Sequence, residues 1–250
     1  MNEENPVTQE ENTPVQLSVG EAISGTLMEP SETFETIAAT PRRNYWLVPV
    51  LITVALSLIS TFLFMGDAEL VQSVMDKQKS KLEADFDKNV KEGKMTREEA
   101  DKALDSINPE SSFFKIAGFG GAVVGPFLIL FILSVIYMVV LKISRANFDF
   151  GNVLNVVGLA MVVGAIGNVI GIVISILMGR VTGVGLGILF SEESVGAQMF
   201  SLLSKIDIFQ IWFYLLVAIG LSKIARISFA KSAGIVFGIF IVYAVVFSFI

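Results

Sequence analysis

The sequence predicts an all-α, polytopic membrane protein with five transmembrane helices, an N-terminal amphipathic cytoplasmic segment and an extracytoplasmic helical hairpin. Three observations carry this. Of the 250 residues, 53% are hydrophobic and only 17% charged, with a mean hydropathy of +0.69. Most of the apolar runs are long enough to cross hydrocarbon, which takes about 20 residues of helix. Short basic loops, with Lys and Arg clustered at matching ends, separate the later runs. With no water in the bilayer core, every backbone N–H and C=O must be paired inside the chain, so the runs are helices.

Two absences limit the chemistry. The chain has no Cys and no His. Disulfides, thiolate metal sites and cysteine nucleophiles are excluded, as are the commonest general base and transition-metal ligand. No cofactor or metal is expected. The net charge is −6, and residues 1–40 hold eight acids and no base. Such a front end repels nucleic acid and anionic lipid alike.

The elements follow in order. Residues 1–16 are polar, acidic and Pro-containing, and read as a disordered tail. Residues 17–43 read as the cytoplasmic amphipathic segment. Within it, Leu17 to Met28 can form one helix with Val19, Ile23 and Leu27 on one side. Pro30 suits the first position of a second helix. Phe34 and Ile37 share its apolar face, and Glu32 sits in the first turn, where the dipole favours an anion. Pro30, Phe34 and Ile37 are the candidate residues for docking this segment. Two alternatives stay open: the helix lies on the membrane surface, or it packs on a neighbouring helix.

Spans are expected at about 45–65, 116–141, 153–178, 208–224 and 232–250. Tyr45 and Trp46 open the first, as amphipathic rings do at an interface. Residues 67–108 read as a charged helical hairpin. Gly93 breaks its first helix, the capping box Thr96-x-x-Glu99 opens the second, and Asn108-Pro109 ends it. Span two contains Pro126. The apolar piece Val181 to Phe190 is too short to cross and is interfacial, re-entrant or a buried loop.

Topology follows from the short loops. Arg42, Arg43, Lys142, Arg145, Lys223, Arg226 and Lys231 collect on one face, against Arg180 and Lys205 in the short connection opposite. The first face is therefore cytoplasmic, the N-terminus inside and the C-terminus outside. The expected location is the plasma membrane.

Span three carries a stripe of small residues at helical spacing. Gly164, Asn168, Gly171 and Ser175 lie along it, and Gly-x-x-x-Gly recurs at 121–125, 167–171 and 234–238. Small residues let helices approach, and one amide can bond across them. These residues are the expected packing seam and permit a homo-oligomer. No Asp, Glu, Lys or Arg lies in the middle of a span, which argues against an ion-coupled path. Glu192–Glu193 is a carboxylate pair on a loop and the thin basis for any enzyme.

The stretch "LMEPSETFETIAATP" ahead of "YWLVPVLI", four further spans, and "FDFGNVLNVVGLAMVVGAIGNVIG" entering span three resemble the Ypt-interacting-protein (Yip) family, in its prokaryotic-style branch, over roughly Val19 to Ile250. The resemblance implies five spans, a cytoplasmic N-terminus and a non-catalytic protein. Eukaryotic members of that family bind Rab-type small GTPases in vesicle trafficking. They carry Asp-Leu-Tyr-Gly-Pro before span one and a Gly-Tyr pair in the membrane. Here Glu29-Pro30-Ser31 and Gly158-Leu159 stand in those regions, departures that count against small-GTPase binding. The expected function is a non-enzymatic scaffold or adaptor in membrane organisation or trafficking. Its expected partners are the lipid bilayer and an unidentified membrane or cytoplasmic protein. The rival expectation is small-solute or lipid transport, suggested by Pro126 breaking span two and by the glycines of span three.

Overall fold

The computed structural model describes residues 15–105, 108 and 111–249. The acidic tail (all but its last two residues), Pro109 and Ile250 lie outside them. The described chain is all helical, apart from one isolated bridge between Gly185 and Asp207.

Two short helices come first. In α1 (Val19–Met28) the Ser18 hydroxyl accepts the Glu21 N–H at 3.2 Å, and the Glu21 carboxylate accepts the Ser18 N–H at 2.7 Å. This reciprocal pair satisfies donors that a helix start otherwise leaves open. Pro30 begins α2 (Pro30–Ala39), where its missing N–H costs nothing.

Among the described residues, four helices are long and apolar enough to cross a membrane: α3 (Leu47–Gly66), α6 (Ser112–Ile143), α7 (Phe150–Met178) and α11 (Phe229–Phe249). A fifth apolar helix, α10 (Ile208–Ile224), has 17 residues, about 25 Å at 1.5 Å per residue. Tyr45 and Trp46 precede α3 rather than opening it. α6 starts at Ser112, whose neighbour Ser111 caps it by accepting the Phe114 N–H. It then runs unbroken through Pro126. This corrects the expectation of a broken second span. Pro126 is itself buried, and a proline is tolerated in a membrane helix whose neighbours compensate for the lost hydrogen bond.

The middle of the bundle is α7. Buried residues make up 56% of its apolar stretch, against 22% in α3, 22% in α6 and 28% in α11. It packs against α3, α10 and α6, while α11 closes on the far side of α10. Close approach depends on missing side chains. A Cβ on Gly158 would stand 2.7 Å from Trp46 Cβ, and one on Gly220 would stand 2.5 Å from Val156 Cγ1.

Between α3 and α6 stands the expected hairpin, α4 (Ala68–Lys91) and α5 (Arg97–Asp105). Gly93 makes the turn at φ 69°. The Glu99 carboxylate accepts the Thr96 N–H at 2.9 Å, and the Thr96 hydroxyl accepts the Glu99 N–H at 3.2 Å.

The α7–α10 connection folds as one extended stretch, a 3₁₀ turn η1 (Leu186–Leu189), and two short helices, α8 (Glu192–Val195) and α9 (Ala197–Lys205). Arg180 holds its shape by donating to Ile188 O at 3.0 Å and Phe190 O at 3.1 Å. Lys205 donates to the hydroxyls of Ser201 and Ser248 at 2.8 and 2.9 Å, and to Phe247 O at 3.4 Å. It thus caps the last turn of α11, where the helix dipole favours a cation. α3, α7 and α11 therefore run one way and α6 and α10 the other, between an N-terminal face and a far face.

Candidate functional site

The first thing the sequence offers is an acidic pair of helices, and the structure fastens it to the N-terminal face of the bundle. The apolar side of α2 turns inward. Phe34 is fully buried and Ile37 is 2% exposed, within one core with Val156 of α7 and Leu216 and Val217 of α10. Burying side chains of this size stabilises by about 1.5–3 kcal/mol each. Of the two open alternatives, α2 packs on neighbouring helices, α10 and α7. In α1 the buried positions are Ala22 and Thr26, flanked by partly buried Val19, Ile23 and Leu27.

The linker between α2 and α3 is held by one amide. Asn155, 1% exposed on α7, accepts the N–H groups of Tyr45 and Trp46 at 2.8 and 3.1 Å. Its own Nδ2 donates to Arg43 O at 2.8 Å. Tyr45 N–H also reaches Arg43 O at 3.2 Å, so the amide reinforces a turn ahead of α3 and takes up the N–H of its N-cap residue, Trp46. The Tyr45 hydroxyl and the Arg43 guanidinium both donate to Leu17 O at 2.9 Å, which ties the beginning of α1 to the same point. Arg43 also stands 5.6 Å from the Tyr45 ring centre, within cation–π range.

Two ion pairs surround this clasp. Arg42 meets Asp149 at 3.6 Å and Lys223 meets Glu35 at 2.7 Å. Arg42, Asp149 and Glu35 are solvent-exposed and Lys223 is half-buried, and such pairs contribute about 1 kcal/mol or less each. Lys142, Arg145, Arg226 and Lys231 are exposed on the same face. Outward, α1 and α2 enclose an open cleft of about 350 Å³ lined by Glu21, Ser24, Met28, Glu29, Glu32 and Thr36 among others. Met28 is 82% exposed at its rim. The Ser18 N–H, then its hydroxyl, hold the Glu21 carboxyl below its ordinary value of 4.5.

The expected packing seam divides. Gly171 packs on Gly183, 3.3 Å from a built Cβ. Ser175 is buried, donates to Gly171 O at 2.8 Å and accepts the Thr182 N–H at 3.2 Å. Gly164 and Asn168 are placed otherwise. A Cβ on Gly164 would meet nothing within 4 Å, and Asn168 is exposed. The amide that crosses between helices is Asn155, thirteen residues earlier, and sequence reasoning missed it. Its signal was the pair Asn155 and Gly158, one turn apart at the start of α7. On the far face, Glu192 pairs with Lys77 at 2.7 Å, which ties the hairpin to α8 and leaves no free carboxylate pair.

The comparisons place this architecture among known proteins. The model of the Yip1 domain matches residues 24–250, from α1 to the last residue. The chain is also similar to membrane protein YknW of Bacillus subtilis (strain 168), 29% identical over 153 residues, 57% of this chain. The match covers 63% of that relative's length. No solved structure matches the chain. A match running through the docked pair of helices and all five apolar helices establishes that the chain belongs to the Yip1 domain family.

Proposed function

We propose that this membrane protein is a non-catalytic adaptor whose α1–α2 pair is a docking platform for a partner protein on the cytoplasmic side of the plasma membrane. One observation carries the proposal. The apolar side of the platform is consumed by the bundle, through Phe34 and Ile37, while its acidic side and the exposed Met28 surround an open cleft. The cleft's carboxylates, Glu21, Glu29 and Glu32, suit a partner segment carrying Lys or Arg. Pro30, Phe34 and Ile37 act from beneath, by setting the platform's position.

The test is photo-crosslinking in native membranes. A crosslinker at Met28 is expected to capture a partner, and reversal of Glu29 and Glu32 to Lys is expected to abolish the capture. A crosslinker at Phe34 is expected to reach α7 or α10 only. Capture from Phe34 but not from Met28, or capture indifferent to the charge reversal, contradicts the proposal. The rival reading, small-solute or lipid transport, keeps the glycines of span three as its motive but loses the broken second span. Flux no greater than that of empty liposomes would remove it.

A further inference from the structure

Two turns on the N-terminal face are copies of each other. α6 ends in Lys142-Ile143-Ser144-Arg145 and α10 in Lys223-Ile224-Ala225-Arg226. In both, the arginine takes a left-handed backbone, φ 55° and 51°. In both, the same two hydrogen bonds close the helix. Arg145 N–H reaches Lys142 O at 3.0 Å and Ala146 N–H reaches Leu141 O at 3.1 Å. Arg226 N–H reaches Lys223 O at 3.3 Å and Ile227 N–H reaches Ser222 O at 3.1 Å.

The end of a helix favours a cation through its dipole, but the left-handed backbone at this position does not favour arginine. This position normally belongs to glycine, because a Cβ is disfavoured at positive φ. Arg145 and Arg226 are the two non-glycine residues with positive φ among the described residues, and both stand at this position. Two acids on this face are engaged by other bases, Asp149, four residues from Arg145, by Arg42 and Glu35 by Lys223, while Glu29 and Glu32 line the α1–α2 cleft. Among the described residues neither Arg145 nor Arg226 enters an ion pair, and both are exposed. Each sits where an apolar helix ends and the chain turns back into another. If those helices span the bilayer, that is the level of the lipid headgroups.

We propose that Arg145 and Arg226 each hold the phosphate of one anionic phospholipid, so that the chain carries two such lipids on its N-terminal face. The planar guanidinium matches a phosphate through paired hydrogen bonds. Lys142 and the other exposed bases add attraction to an anionic leaflet. The lipids lie along the ends of α6 and α10, on either side of α7. The proposal needs only the membrane placement of these helices, and stands or falls separately from the adaptor reading.

Native mass spectrometry of the full chain, released from mixed phosphatidylglycerol and phosphatidylcholine, reads the result directly. Wild type is expected to retain two phosphatidylglycerol molecules. Arg145→Gly and Arg226→Gly are each expected to lose one, and the double variant both, with thermal unfolding in phosphatidylcholine unchanged or raised because glycine suits the turn. Arg145→Lys and Arg226→Lys keep the charge but not the fork, and are expected to retain lipid several-fold more weakly. The proposal is overturned if the double glycine variant retains two phosphatidylglycerol molecules or if wild type retains phosphatidylcholine equally. It is also overturned if inorganic phosphate raises thermal stability as much as the lipid does.

Discussion

Asn155 and Tyr45 are 110 positions apart in the chain and 2.8 Å apart in space. The bond joins the middle helix of the bundle to the linker below α3, and the same amide holds Trp46 and Arg43. Asn155→Leu should therefore lower the thermal midpoint in detergent. Tyr45 N–H and Arg43 O keep their bond to each other at 3.2 Å, so the loss falls mainly on Trp46 N–H, and leaving one such group without a partner costs about 1–3 kcal/mol. Protease access to the 40–46 linker should rise in parallel. An unchanged midpoint would show that water or the Tyr45–Arg43 contact replaces the amide.

Two glycines on α7 make a paired prediction. Gly158→Ala forces a Cβ to within 2.9 Å of Trp46 Cα, a backbone atom with little room to yield. Overpacking of this kind costs about 1–3 kcal/mol. Gly164→Ala meets open space and removes a flexible residue from a helix, a gain of up to about 1 kcal/mol. Midpoints that move in the opposite order would contradict the placement of α7.

The caps of α1 and α5 make a prediction about pH. Hydrogen bonds from the Ser18 N–H and hydroxyl lower the pKa of Glu21, and those from Thr96 lower that of Glu99. A carboxyl lowered on folding stabilises fully above its unfolded value, and the contribution fades as pH falls through the folded one. Amide exchange at the starts of α1 and α5, corrected for its intrinsic pH dependence, should hold steady near neutrality and quicken below about 4.5. Glu21→Gln and Glu99→Gln should remove that transition. Exchange independent of pH over this range would count against both caps.

The helix inventory was legible because hydrophobicity alone selects it. The five apolar runs, the Gly93 break and the Thr96–Glu99 cap all come from local spacing. The same Ser/Thr-x-x-Glu pattern at Ser18–Glu21 was equally local and went unread. The destination of the α2 apolar face was not legible. Phe34 and Ile37 mark a side that must be covered, but lipid and protein cover it by the same effect. Nor was the continuity of α6 legible, since proline breaks a helix in isolation and is tolerated where neighbours support it. The small-residue stripe put the bridging amide at Asn168. Periodicity identifies a face without saying which helix meets it, and a partner 110 residues away leaves no trace in spacing.

The claim on which the rest depends is that α2 rests on α10 at the N-terminal face of the bundle. The chain contains no cysteine, so Glu35→Cys with Lys223→Cys gives the only two thiols, placed at an ion pair of 2.7 Å. In native membranes, a short-armed bismaleimide should join these two within one chain, and should not join Glu192→Cys, on the far face, to Lys223→Cys. Two freely reactive thiols at 35 and 223 with no link between them would contradict the account.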